Sequence, residues 1–364
     1  MKNNKYSRIL IFLAFLQLSS LASGQFVPSS DSTRYFDGQS FAIIGRFHNE
    51  ENYHRFPIEY KDSMRKDVWD LSLDCTGISV RFATNSPYIK VRWQSLSSFS
   101  MDHMASTGVR GVDLYAMIDG EWRYVSTGRV KGKENEYMLI QTNKKEYREY
   151  LLNLSLYNGI DSLYIGIKSD AEISKPKKDY LISKKPVVYY GTSIAQGGCA
   201  SRPGLAFTNI LSRKLDRAFI NFGFSGNGNC EMSVGNIMCR IDAALYVLDC
   251  NPNTKSDEVY DRSVNLVRLL KKHRPETPVL LVESMQFENI LSGSVATEPV
   301  KKNAELYRAY KYLKSSGIRG LYYKKSDGMI GFDHEGTVDG IHPNDIGMLR
   351  MAESLKPVIE KIIK

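Results

Sequence analysis

With 364 residues, 42% of them hydrophobic and 24% charged, the chain is long enough for more than one core and is neither a disordered polymer nor a membrane bundle. Its net charge of +9 is carried in part by short runs without interleaved aromatics, such as Lys175-Pro176-Lys177-Lys178 and Lys184-Lys185, which read as solvated surface and argue against nucleic-acid binding.

Lys2, Lys5 and Arg8 precede an apolar run over residues 9–21 that ends in Ala22-Ser23-Gly24, the pattern of a secretory signal peptide cut before Gln25. The run is shorter than the roughly 20 apolar residues of a spanning helix, and no cysteine follows it to carry a lipid anchor. The expectation is an exported protein, periplasmic or extracellular, with residues 1–24 removed; subtracting their three positive charges from +9 leaves +6. Export places Cys75, Cys199, Cys230, Cys239 and Cys250 in an oxidising compartment, where one disulfide is expected, Cys199 with Cys230 or Cys230 with Cys239. Their spacing matches no zinc pattern, and the sequence does not fix their connectivity.

From residue 25 to about 180 apolar residues recur at every second position, as in Ile78-Ser79-Val80-Arg81-Phe82 and Ile89-Lys90-Val91-Arg92-Trp93. This is the signature of strands with one buried face. Residues 112–118 and 122–125 flank Asp119-Gly120, a two-residue hairpin signal, and residues 163–167 add a further strand. Many short strands with little helical period predict an all-β sandwich domain over 25–180.

Beyond the charged stretch 175–185 the pattern changes. Apolar runs at 187–190, 219–222, 245–248, 279–282 and 321–323 alternate with amphipathic segments at about 204–215, 256–273, 300–316 and 346–364. Strands alternating with helices predict a parallel sheet covered on both faces, a three-layer α/β/α domain over 181–364. In such sheets ligands bind where the strands end, so chemistry is expected in the loops that follow each run.

The first of these loops is Gly191-Thr192-Ser193-Ile194, a tight turn that presents a serine. Just before the last helix comes Asp339-Gly340-Ile341-His342-Pro343-Asn344. A serine hydroxyl becomes a useful nucleophile when an imidazole takes its proton and a carboxylate orients that imidazole, which gives Ser193, His342 and Asp339 a joint reading. Taken singly, each has an ordinary role: Ser193 as a turn residue, Asp339 likewise, and His342 as a surface histidine ahead of a helix capped by Asn344. Oxyanion donors are available in the next two loops, Gly223-Phe224-Ser225-Gly226-Asn227-Gly228 and Asp249-Cys250-Asn251-Pro252-Asn253. The order serine, glycine, asparagine, then aspartate with histidine is what separates the catalytic reading from four unrelated turns.

That order resembles the SGNH, or GDSL, hydrolases over residues 185–364, and the resemblance implies a flavodoxin-like fold and an esterase activity. The serine block is similar to Gly191-Thr192-Ser193-Ile194, with Thr192 where the family usually has aspartate. The glycine block is similar to residues 223–228 and implies Gly226 as a backbone oxyanion donor. The asparagine block departs from Gly-x-Asn-Asp; similarity to members with Asp-x-x-Pro-Asn implies Asn253, with Asn251 as a rival. Asp339 and His342 match the Asp-x-x-His block. Gly111-Val112-Asp113-Leu114-Tyr115 resembles the Gly-x-Asp-Leu-Tyr signature of a β-rich domain that precedes this hydrolase subgroup in bacteria of the Bacteroides kind. Asp113 is read there as a strand-edge residue without a catalytic role. Trp93, Tyr115, Trp122 and Tyr124 are read as core residues in the first instance and as a sugar-stacking surface in the second.

The resemblance implies that Ser193 attacks an ester carbonyl while Ser193 N–H, Gly226 and Asn253 hold the oxyanion, and that the acyl group is small, with acetyl on a carbohydrate the expected case. No metal or cofactor is implied, and no partner beyond an acylated glycan or other small ester. The rival readings are a lipid-directed esterase, a glycan-binding protein that has lost activity, and an enzyme with Cys199 as its nucleophile.

Overall fold

A computed structural model describes residues 32–177, 184–291 and 293–364. The expected signal segment 1–24 and part of the charged stretch before the second half lie outside the described residues. In the N-terminal half the alternating segments become strands β1 (Thr33–Asp37), β2 (Ala42–Ile44), β3 (Ser79–Thr84), β4 (Tyr88–Ser95) and β5 (Val112–Ile118). They are followed by β6 (Glu121–Gly128), β7 (Glu134–Gln141), β8 (Arg148–Asn153), β9 (Ile160–Lys168) and β10 (Ile173–Ser174). Two antiparallel sheets result, one ordered β1-β9-β4-β7 and the other β10-β3-β8-β5-β6, with β2 paired to β3. Val80, Phe82, Val91, Trp93, Leu152 and Ile165 belong to one buried cluster, the core of a β-sandwich. The β5–β6 hairpin turns on Asp119 and Gly120, both at positive φ (53° and 83°), as a two-residue type I′ connection requires.

In the C-terminal half β11 (Val187–Gly191), β12 (Phe219–Gly223), β13 (Leu245–Asp249), β14 (Val279–Val282) and β15 (Leu321–Lys324) form a parallel sheet in the order β12-β11-β13-β14-β15. Successive side chains of β11 point to opposite faces and both faces are buried: Val188 and Tyr190 enter one cluster, Val187 and Tyr189 another. The helices in chain order are α1 (Lys66–Ser72), α2 (Ser106–Val109), α3 (Ser193–Gln196), α4 (Phe207–Leu215), α5 (Met232–Met238), α6 (Val259–His273), α7 (Ser294–Ser315) and α8 (Asp345–Ile363). Residues of α5, α6 and α7 fill the first cluster, and those of α4 and α8 the second. This is the expected α/β/α layering, with the strand order of a flavodoxin-like sheet and its switch point between β11 and β13. Helix α8 starts at Asn344, whose side chain accepts from the N–H groups of Ile346 and Gly347, 3.0 Å each.

The residues that join the halves were the least visible in the sequence. Phe56, Val68 and Trp69 come from the irregular segment between β2 and β3 yet sit in the cluster beneath the parallel sheet, where the Phe56 ring lies 4.8 Å from that of Phe222. The fully buried Arg55 donates to the carbonyls of Gly223 (2.5 Å) and Asn221 (3.3 Å) at the end of β12. Asp113 corrects its sequence reading. Strand β5 lies inside its sheet between β8 and β6, and the Asp113 carboxylate, 0% exposed, accepts from Arg202 (2.6 Å), Gly204 N–H (2.9 Å) and Asn153 (2.8 Å). It is a clamp on the loop that follows the serine, not an edge residue. Of the aromatic group, Trp93 and Tyr115 are buried, and Tyr124 is exposed with the Arg202 guanidinium 4.0 Å over its ring. All five cysteines are free thiols, which overturns the expected disulfide. Cys75 lies in the sandwich core, Cys230 and Cys250 are buried beneath the parallel sheet, and Cys199 stands on the other side of that sheet.

Candidate active site

Strand β11 delivers its chain to the C-terminal edge of the sheet at the switch point, and Ser193 is the first residue of α3 beyond it, 7% exposed. Its Oγ lies 2.9 Å from His342 Nε2. The Nδ1 of His342 is 2.7 Å from Asp339 Oδ2, and Asp339 Oδ1 accepts from the N–H groups of His342 (2.7 Å) and Ile341 (3.0 Å). Burial raises the Asp339 carboxyl, but the His342 backbone N–H, the His342 ring and the Ile341 N–H together outweigh it and hold the acid below its usual range. The loop is itself braced: Thr337 pairs with Pro343, Val338 N–H donates to His342 O (2.9 Å), and Gly340 O accepts from Glu288 N–H (2.8 Å). Ser193 and His342, 149 positions apart, thus meet because α8 starts beside the end of β11, where Cys199 N–H donates to Pro343 O (2.9 Å) and Ser201 binds the Asp345 carboxylate through its N–H (2.8 Å) and Oγ (2.6 Å).

The glycine loop is pressed onto the serine turn. A Cβ at Gly228 would stand 2.0 Å from Gly191 O, so only glycine permits this approach. Gly226, at φ +67°, has open space where its Cβ would be, and among the described residues no acceptor takes its N–H. The neighbouring amides are engaged: Ser225 N–H donates to Gln196 Oε1 (2.8 Å), while those of Asn227 and Gly228 donate to Phe224 O. In the loop after β13, Asn251 is 2% exposed and its Nδ2 is buried without a partner; Asn253 is half-buried, with Oδ1 unpartnered. Asp249, at the strand's end, accepts from Tyr189 OH (2.8 Å), and burial pushes its carboxyl up to about 7 despite that bond.

A buried polar cradle beneath the serine had no sequence signal, because its members come from both halves. Tyr157 OH donates to Ser193 O (3.0 Å), and Gln196 Nε2 donates to Asp74 Oδ2 (2.9 Å) and Leu156 O (3.2 Å). Burial raises Asp74 to about 7, although the Arg55 charge and the Gln196 bond oppose it. Beside the glycine loop opens a cleft of about 550 Å³, lined by Asp67, Asp70, Leu71, Asp74, Ser97, Phe99, Met101, Tyr157, Ser225 and Asn227. The sandwich half therefore supplies much of its wall. Cys199 is not poised to attack: burial, aided by the Asp339 carboxylate, pushes its thiol up to about 12.

The chain is similar to known proteins along most of its length. Residues 184–360 match the GDSL-like lipase/acylhydrolase family, and residues 33–173 match the N-terminal region, named GxDLY, of SGNH-hydrolase-type esterases. A GDSL-like lipase candidate from Bacteroides ovatus is 35% identical, with 91% of this chain and 98% of that chain covered and a TM-score of 0.87. A family two carbohydrate esterase from Cellvibrio japonicus (12% identity, 91% and 98% covered, TM-score 0.57) shares the fold. So does the acetyl xylan esterase Est2A from Butyrivibrio proteoclasticus (11%, 90% and 98%, TM-score 0.56). No curated protein matches the chain.

Proposed function

Because the chain belongs to the GDSL-like lipase/acylhydrolase family and is an ester-hydrolysing enzyme, we propose that it removes small acyl groups, acetyl foremost, from a carbohydrate by serine catalysis. The observation that carries the mechanism is the hydrogen-bonded series Ser193 Oγ, His342, Asp339 at the C-terminal edge of the sheet. His342 Nε2 takes the hydroxyl proton as Ser193 attacks the carbonyl carbon, and Asp339 fixes the tautomer and stabilises the imidazolium. The proton then passes to the leaving alcohol, and water, activated by the same nitrogen, releases the acid. Ser193 N–H, the unengaged Gly226 N–H and Asn253 are the oxyanion donors in this reading; Asn253 is preferred to Asn251 because a donor must meet substrate, and Asn251 is almost wholly buried.

The small acyl group rests on the two distant neighbours named for carbohydrate and acetyl xylan esterase activity, and the carboxylates of Asp67, Asp70 and Asp74 in the cleft beside the glycine loop offer acceptors to the hydroxyls of a carbohydrate. We further propose that the protein is exported, on the signal-like residues 1–24; no helix among the described residues is long and apolar enough to cross a membrane. A series of chromogenic esters from acetate to decanoate, beside acetylated xylo- and cello-oligosaccharides, tests the substrate class. The expected result is kcat/KM highest for acetate and measurable acetate release from an oligosaccharide. A maximum at eight carbons or more would transfer the assignment to a lipid-directed esterase.

A further inference from the structure

Beside the serine, three loops remote in sequence bring together His103 from the β4–α2 connection, Cys199 after α3, and His342. One ring nitrogen of each histidine and Cys199 Sγ all lie within 4.8 Å of one another, and the two imidazole rings are 5.8 Å apart. Both histidines rest on a carboxylate through Nδ1: His342 on Asp339 at 2.7 Å, and His103 on Asp102 at 3.0 Å. Each carboxylate favours the proton on Nδ1 and so leaves Nε2 as the ring's lone-pair donor, which on His342 faces the Ser193 hydroxyl at 2.9 Å; this is how histidines are prepared as ligands in metal sites. Two imidazoles and a thiolate suit soft or borderline divalent cations. Tetrahedral zinc bonds of about 2.0–2.3 Å set ligand separations of roughly 3.3–3.6 Å, so the cluster must contract by about 1 Å. His103, with 36% of its side chain exposed, has the freedom to make that movement.

We propose that His103, Cys199 and His342 bind a zinc-like divalent cation, and that the bound ion switches the esterase off. The inference rests on the role given to His342 above. The ion takes the Nε2 lone pair that would otherwise accept the Ser193 proton, and the Cys199 thiol proton leaves to solvent as the thiolate ligates. No spacing rule in the sequence announces such a site, since its members stand on three separate loops and one belongs to the sandwich half. The arrangement gives His103 and Cys199 a function that hydrolysis itself does not require.

The test titrates the chelator-treated full chain with Zn²⁺ during hydrolysis of a chromogenic acetate, alongside His103→Ala and Cys199→Ser. The expected result is inhibition of the parent that EDTA reverses, with both variants active and at least about tenfold less sensitive. Independently of activity, Co²⁺ added to Ser193→Ala should give a thiolate-to-cobalt charge-transfer band that is absent when Cys199→Ser is added to that background. The band supports the metal site even if the parent fails to hydrolyse esters, a failure that would count against the triad alone. An active parent that Zn²⁺ does not inhibit, or equal inhibition of parent and His103→Ala, overturns the proposal.

Discussion

Replacing Asp113 with alanine should loosen the union of sandwich and catalytic half, and the cost follows from its partners. The carboxylate is 0% exposed and receives Arg202, Gly204 N–H and Asn153, while the Arg202 side chain is only 17% exposed. Removing one member of a buried ion pair typically costs about 3–5 kcal/mol. Arg202 retains the Tyr115 hydroxyl at 2.7 Å and the Tyr124 face at 4.0 Å, which favours the lower end, about 3 kcal/mol. With a urea dependence of about 3 kcal/mol/M, the midpoint should fall by about 1 M, and Asp113→Asn, which keeps an acceptor but not the charge, should fall by about half as much. Because the clamped loop also holds Pro343 through Cys199 N–H, kcat for a chromogenic acetate should drop with KM little changed. The assay is urea unfolding followed by fluorescence, with Arg202→Ala and the double variant completing a cycle. A midpoint shift of Asp113→Ala below about 0.2 M, or effects of the two substitutions that simply add, would refute the clamp.

The oxyanion assignment predicts that Asn253→Ala lowers kcat by about 10²–10³, whereas Asn251→Ala acts mainly on stability; steady-state kinetics of the two variants decides between them, and the reverse pattern would make Asn251 the donor. Asp74, raised by burial to about 7, binds more protons in the folded chain than in the unfolded one between its ordinary value and 7, so its contribution to stability is lost as pH rises through that window. Asp74→Asn, which keeps an acceptor for Gln196, should therefore gain about 2–3 kcal/mol relative to the parent between pH 5 and pH 8; unfolding midpoints at the two pH values check this, and a constant difference would contradict it.

The parts of this molecule visible in its sequence are those governed by local pattern. The alternation in residues 78–93 marked sandwich strands, the apolar run Val187-Val188-Tyr189-Tyr190 marked a strand buried on both faces, and the rule that ligands gather where parallel strands end pointed to Ser193 and to the loops after β12 and β13. Asp339 and His342 were legible because their bond spans one short braced loop. What escaped was made by contact between segments far apart. Arg55 and Asp74 lie in an irregular stretch with no period to read, and their partners are the carbonyls of Asn221 and Gly223 and the side chain of Gln196. Asp113 looked like an edge residue until Arg202, from the other half, came to it. The disulfide expectation failed for a related reason: compartment chemistry says that cysteines can pair, but only the fold says which of them meet.

Joint action of Ser193 and His342 on an ester carbonyl is tested by hydrolysis of a chromogenic acetate by residues 25–364 beside Ser193→Ala and His342→Ala, with labelling by a fluorophosphonate probe. The expected result is an active, labelled parent and activity lower by about 10⁴–10⁶ in both variants, with labelling abolished in Ser193→Ala. Activity of Ser193→Ala within about tenfold of the parent, or a probe attached to a residue other than Ser193, would contradict it.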